Sequence, residues 1–136
     1  MKFIVQKNHH SCGPVAVINY MRMMGIPLSM KKAYVGVKCS RKGTFSDDIA
    51  KFLRTYVTEV TNIKDLKKQI EVIPCILGYC YEKEQGHFVV VTKVTKNFIY
   101  VANHYDNKKN TYTETKKISF KTLSKFLKID NIEVIK

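Results

Sequence analysis

The sequence predicts an α+β fold in a single domain spanning residues 1–136. Three observations carry this reading. Apolar residues in the first half recur at helical spacing. From residue 72 the period changes to short, β-branched runs of strand type. No linker rich in Pro, Gly or Ser, no internal repeat and no low-complexity segment interrupts the chain. Helices followed by an antiparallel sheet is an α+β order. The 136 residues are the size of one ordinary domain. A chain of this length buries roughly two thirds of its unfolded surface, so it folds without a disulfide or metal staple. A composition of 45% hydrophobic and 26% charged residues argues against disorder.

Residues 2–6 read as a short extended segment. Asn8-His9-His10-Ser11-Cys12-Gly13-Pro14 is a turn running into an apolar stretch. In that stretch Val15, Ala16, Val17, Ile18, Tyr20, Met21, Met23 and Met24 are apolar almost all round, which predicts a centrally buried helix. Pro14 suits its first turn, and Gly25 followed by Pro27 suits its end. A second helix is expected over 29–36. A third is expected from Ser46 or Asp47 to Tyr56, with Ile49, Phe52, Leu53 and Tyr56 at helical spacing and Asp47-Asp48 favouring the N-terminus. Residues 63–70 read as a fourth short helix with Ile63, Leu66 and Ile70 on one side. The strand runs follow at 73–79, from His87 to Val94, from Phe98 to Ala102 and from Thr111 to Ile118. Phe120, Leu123 and Phe126-Leu127 predict a late helix, and Ile132-Glu133-Val134 a last strand.

Charge is the strong deviation in composition. Lys and Arg number 24 against 11 Asp and Glu, a formal net charge of +13. Such a balance attracts polyanions and keeps a protein soluble, but it does not specify a fold. Nucleic-acid binding is the first function class it raises. Only Arg22, Arg41 and Arg54 are arginines, the residue type that reads bases and grips phosphate bidentately, and the lysines spread along the whole chain. That pattern argues against specific nucleic-acid readout. It fits solvated faces, lysine-favouring codons, or attraction to an acidic peptide or protein. No stretch reaches the roughly 20 apolar residues of a transmembrane segment. The N-terminus turns polar too early for a signal-peptide core, so a cytoplasmic location is expected. Cys12, Cys39, Cys75 and Cys80 are then expected as reduced thiols.

Four residues carry candidate chemistry. Cys12 stands at the start of the apolar helix, where the helix dipole is expected to lower its pKa and populate the thiolate. Gly13 beside it is expected to let a substrate backbone approach the sulfur. His87, after Gly86 and a polar loop, stands at the mouth of a buried strand, where an imidazole faces both solvent and a cleft. The third candidate depends on the hairpin near Thr95-Lys96-Asn97. A three-residue loop with Asn97 left-handed sets Val94 opposite Phe98 and puts His87, Val89, Ile99, Val101 and Asn103 on one face. A two-residue loop brings Asp106 or His104 toward His87 instead. Either Asn or Asp would fix the imidazole tautomer and complete a Cys-His-Asn/Asp constellation. Gln6, six residues before Cys12, is a candidate oxyanion donor beside the backbone N–H of Cys12.

Taken together these segments resemble a known family. Gln6, Ser11-Cys12-Gly13-Pro14-Val15-Ala16, Gly86-His87-Phe88-Val89-Val90-Val91 and Tyr100-Val101-Ala102-Asn103 are similar to the papain-like, double-glycine-leader cysteine peptidases, the bacteriocin-processing domains of ABC transporters and their stand-alone relatives. Gly43-Thr44 resembles the family's Gly-Thr turn, and Ile73-Pro74-Cys75-Ile76 its strand before the histidine loop. The resemblance implies a papain-like fold, with a helical half carrying the nucleophile helix and an antiparallel sheet half. It implies Cys12 as nucleophile, His87 as base, Asn103 as orienting residue, Gln6 as oxyanion donor, and Gly13 and Gly86 along the substrate path. Cleavage after small residues such as Gly-Gly is expected, with no cofactor. The chain departs from the family at Asn103-His104, where Asp-Pro is usual, and at Ser11, where Asp is frequent. Asn carries no charge, so a thiolate–imidazolium pair would rest more on the helix dipole.

Other constellations are weaker. His9, His10 and Cys12 lack paired CxxC or HxxxH spacing, as does Cys75-x4-Cys80, so no metal site is expected. His10 reads as a loop residue beside the nucleophile. The segment 119–128 interleaves Phe120, Leu123, Phe126 and Leu127 with Lys121, Lys125 and Lys128, the pattern of a surface helix on a sheet rather than of a membrane-surface helix. Two other uses of the same fold stay open: an acyl transferase or ubiquitin-like-processing enzyme with the same dyad, and a non-catalytic basic binding or structural protein.

Overall fold

The computed structural model describes residues 2–56, 62–63, 73–82, 85–106, 108–126 and 133–135. Among the described residues the helices are α1 (Cys12–Met23), α2 (Met30–Gly36), α3 (Ser46–Leu53) and α4 (Phe120–Phe126). The strands are β1 (Asn62–Ile63), β2 (Cys75–Glu82), β3 (Gln85–Val94), β4 (Phe98–Asp106), β5 (Thr111–Ser119) and β6 (Glu133–Ile135). They form one antiparallel sheet in the order β1-β6-β2-β3-β4-β5. The α+β, helices-then-sheet expectation holds.

Strand alternation splits the core into two layers. On one face Ile76, Val90 and Ile135 pack against Ala16, Val17, Tyr20 and Met21 of α1 and Ile49, Ala50 and Leu53 of α3. On the other, Leu77, Tyr79, Val89, Val91, Ile99 and Val101 pack with Ile118 and Leu123, the last from α4. Helix α1 is buried from Cys12 through Met21, as its all-round apolarity predicts. Its one fully buried amide, Asn19, accepts from Ile4 N at 2.9 Å and donates to Ile4 O at 3.0 Å. That pair of bonds holds the N-terminal extended segment on α1. The helix ends where Gly25 takes φ +74, with Gly25 N and Ile26 N bonded back to Arg22 O and Met21 O.

Several boundaries differ from the sequence reading. Helix α3 ends at Leu53, and residues 54–56 continue only as turns. Ile63 pairs with Val134 in β1, so it belongs to a strand; the rest of the expected helix over 63–70 lies outside the described residues. Strand β3 begins at Gln85, before His87, because Gln85 and Gly86 find partners in Glu82 and Cys80. Strand β4 continues through Asn103 to Asp106, because β5 pairs with it out to Asp106↔Thr111. Within the β3–β4 hairpin, Val94 pairs with Ile99 and Asn97 is not left-handed. A bulge between Val91 and Lys93 absorbs the extra residue. Val91↔Val101 and Val90↔Ala102 then follow the register of the expected three-residue loop. The β3–β4 pairing stops at Val90↔Ala102, and the chain ends beyond it leave room for the site.

Candidate active site

The site forms where the N-terminus of α1, the start of β3 and the second half of β4 meet. Cys12 is the first residue of α1 and is buried. The main-chain N–H of Phe88, the residue after His87, faces its thiol, as do the N–H groups of Gly13 and of Cys12 itself. The sulfur therefore sits against the strand segment that carries His87. These three N–H groups favour the thiolate, yet burial outweighs them and pushes the thiol above its ordinary pKa, and the nearby Cys39 adds to the rise. The lowered pKa expected from the helix dipole is thus not found, because desolvation is the larger effect.

His87 is 4% exposed. Its Nε2 lies 2.7 Å from the main-chain carbonyl oxygen of Asn103. A carbonyl only accepts, so Nε2 carries the proton and Nδ1 is left as the basic nitrogen. Among the described residues Nδ1 makes no hydrogen bond. Burial pulls the imidazole down to about pKa 4, opposed by the Asn103 carbonyl and reinforced by His104. The pair therefore rests as thiol and neutral imidazole at neutral pH.

Asn103 meets His87 with its backbone, not with the side chain that the sequence reading assigned to orientation. The reason is conformational. Asn103 takes φ +65, a left-handed conformation that asparagine tolerates better than most residues. This aims the carbonyl at His87 and the side chain at Gln6. Asn103 Oδ1 accepts from Gln6 N at 2.9 Å, and Nδ2 donates to Gln6 Oε1 at 2.7 Å. Gln6 Nε2 in turn donates to Asn8 O at 2.7 Å. Gln6 and Asn103 are both buried, and their network links the N-terminal segment, the loop before Cys12 and the imidazole. Asp106, the other candidate for the third position, turns away into the β4–β5 connection. It accepts from Lys108 N and Lys109 N there, and the Lys109 N–H in particular holds its carboxyl below the ordinary value.

Gly13 has a different local reason from the one expected. A Cβ there would meet Thr44 Oγ1 at 2.5 Å and Thr44 Cβ at 2.6 Å. The space above it is filled by Thr44 rather than left open to a substrate backbone. Thr44 Oγ1 is itself buried without a hydrogen-bond partner among the described residues. Gly86 lies exposed in β3, opposite Cys80. His9 and His10 point to different neighbours, His9 to Tyr112 and His10 to Tyr34. No group of three His, Cys, Asp or Glu among the described residues is arranged to hold a metal ion.

The sequence reading did not single out the tyrosines. Tyr79, Tyr105 and Tyr112 surround His87 with ring-centroid separations of 6.0, 6.3 and 6.0 Å. Tyr79 stands opposite His87 in the β2–β3 register, and Tyr105 opposite Tyr112 in the β4–β5 register. The second pairing was within reach of the sequence, since the polar run Asn107–Asn110 marks the hairpin turn.

Residues 1–125 match the model of the Peptidase C39 family. No curated protein matches the sequence. Among solved structures, the chain is similar to the peptidase domain of Streptococcus ComA, described as a bi-functional ABC transporter involved in a quorum-sensing pathway. The TM-score is 0.76 at 17% identity, covering 98% of this chain and 95% of that one. It is also similar to a double-glycine-motif protease from an AMS/PCAT transporter, in complex with its leader peptide. That match has a TM-score of 0.74 at 18% identity, covering 97% and 87%. A third similarity is to the Streptococcus mutans ComA peptidase domain bound to a small-molecule inhibitor, with a TM-score of 0.67 at 18% identity, covering 100% and 99%.

Proposed function

Because the chain belongs to the Peptidase C39 family and is a papain-like cysteine peptidase, we propose that it cleaves a peptide or protein after small residues such as Gly-Gly, through Cys12, His87 and Asn103. The observation that carries the assignment is the 2.7 Å contact of His87 Nε2 with the Asn103 carbonyl, with the Cys12 thiol against the next residue of the same strand.

In the reaction, His87 Nδ1 takes the proton from Cys12 Sγ as the sulfur attacks the scissile carbonyl. Starting from a neutral pair, this is general-base catalysis rather than attack by a preformed thiolate. The oxyanion is stabilised by the Cys12 N–H and by Gln6 Nε2, which carries a second hydrogen besides the one given to Asn8 O. The C–N bond breaks, and the proton on His87 Nδ1 passes to the departing amine. Water, deprotonated by the same nitrogen, then hydrolyses the thioester. The Asn103 carbonyl holds Nε2–H throughout, so the ring stays in the productive tautomer.

The complex of the transporter-derived protease with a leader peptide supports a peptide substrate here. The net charge of +13 favours an acidic one, by steering rather than by contact. The test is cleavage of synthetic peptides carrying Gly-Gly before the cut. Wild-type protein is expected to cleave them, and Cys12→Ala to lose activity entirely. Cleavage that survives Cys12→Ala overturns the assignment. Added amines separate hydrolysis from acyl transfer, since an acyl transferase would yield mainly the amide product.

A further inference from the structure

A cavity that the mechanism above does not use opens at the margin of the sheet. Strand β5 is the last in the sheet order, and a space of about 340 Å³ lies between its second half, β4 and the start of α4. That is near the lower end of the roughly 300–1,000 Å³ of ligand sites. Phe98 and Ile118 supply apolar surface, and His104, Lys116 and Lys117 supply polar groups. No acidic residue lines it among the described residues. Ser119 and Thr122 complete the lining, with their hydroxyls bonded to each other at 2.9 Å. Both lysines are exposed. They bracket the cavity, Lys116 on the side of His104, on whose ring its charge acts, and Lys117 with Nζ 4.1 Å from the centre of the Phe98 ring. Attraction to the ring holds that ammonium at the cavity. The His104 ring is half-buried and makes no hydrogen bond among the described residues. Asp106 also acts on His104, but its carboxyl accepts from Lys108 N and Lys109 N in the turn beyond.

Two ammonium groups around an apolar floor, with no carboxylate of the protein's own in the lining, suit one carboxylate brought from outside. The cavity is also tied to the active site. His104 follows Asn103, whose carbonyl holds His87, so the lining begins one residue along β4 from the network that orients the imidazole. We propose that this cavity is an exosite for an Asp or Glu side chain of the peptide substrate, bound between Lys116 and Lys117 beside His104, and that it selects an acidic residue at a fixed distance from the cut. The inference rests on the peptidase reading and deepens it. Net charge draws in an acidic peptide wherever its carboxylates lie, whereas a cavity recognises a carboxylate only at the position that reaches it.

The experiment walks a single Glu through an otherwise neutral Gly-Gly peptide, one position at a time on both sides of the cut, so that every peptide carries the same net charge. Wild type is expected to show kcat/KM about fivefold higher at one position, or two adjoining ones, than elsewhere, the size of an exposed ion pair. Replacing that Glu by Gln should remove the gain. The double variant Lys116→Gln with Lys117→Gln is expected to flatten the peak while leaving the rates at the other positions unchanged. Lys31→Gln with Lys32→Gln removes the same charge from exposed positions of α2 and is expected to keep the peak. Steering alone would give equal rates along the walk and the same response in both double variants. Equal wild-type rates at every position, or a peak that survives the loss of Lys116 and Lys117, overturns the exosite alone. A peak lost equally in both double variants assigns it to net charge and also overturns the exosite. A wild type that cleaves none of the peptides overturns the peptidase reading and the exosite with it.

Discussion

Asn103 does two jobs through two different groups. Its carbonyl holds His87, and its side chain holds Gln6. Both contacts are made from the left-handed conformation of Asn103, at φ +65. Asn103→Gly keeps a residue at ease with that φ, whereas Asn103→Ala adds strain to the loss of the amide. In kcat/KM assays Asn103→Ala is expected to fall by about a hundredfold, within the range for removing general-base orientation, and Asn103→Gly by about tenfold. Equal losses would mean that the amide, not the carbonyl geometry, sets the rate. The buried His87 also makes folding stability depend on pH. Its pKa is about 4 in the folded protein against 6.5 ordinarily, so between these values the unfolded chain binds more protons. Stability is then full above pH 6.5 and is lost as pH falls toward 4, by about 3 kcal/mol. Urea unfolding at pH 7 and pH 4.5 should show this loss, and His87→Gln should flatten it. His104, lowered by burial and by Lys116, contributes with the same sign.

Helix α1 reaches its position through close approach at one end and a buried clamp in its middle. Thr44 fills the space where a side chain on Gly13 would stand. Gly13→Ala is therefore an overpacking change, expected to cost about 1–3 kcal/mol and to displace Cys12. Because the nearest atoms include Thr44 Cβ, Thr44→Gly combined with Gly13→Ala should recover stability, while Thr44→Ser should not. Thermal melts of the three variants check this. Asn19 is the clamp. Asn19→Ala would leave Ile4 N–H and C=O without their partners, at a cost of about 2 kcal/mol. It should also loosen residues 2–6, seen as faster amide hydrogen exchange at Gln6.

Across the whole molecule, the sheet is covered on both faces, and the site sits at one end where β3 and β4 part. The β3–β4 pairing stops at Val90↔Ala102, while β2 stays paired with β3 through His87 and β5 with β4 as far as Asp106, so each of the two parting strands is still held on its outer side. The charge acts at this scale. A field from +13 reaches about 10 Å at 0.1 M salt and less at higher salt. For a substrate with acidic flanking residues, kcat/KM should fall several-fold as salt rises from about 20 to 200 mM, while a neutral peptide should change little. A flat response for both would make the lysines a solvation feature only.

The sequence by itself determined the α+β order, the burial of α1 and the chain positions of Cys12, His87, Asn103 and Gln6. Each of these is a local property. Periodicity marks the faces of elements, and the residue types mark the chemistry. Register was also legible at the site, since Val90↔Ala102 is the pairing of a three-residue loop, although a bulge reached it by another route. Tertiary structure alone decided which atom of Asn103 meets His87, because a single backbone φ sets that. It decided that Cys12 and His87 rest neutral, because desolvation depends on everything packed around them. It also decided that Thr44 covers Gly13, and that His9, Tyr105 and Tyr112 gather beside the imidazole. These residues lie far apart in the chain, and their meeting is a consequence of how the two halves close on one another.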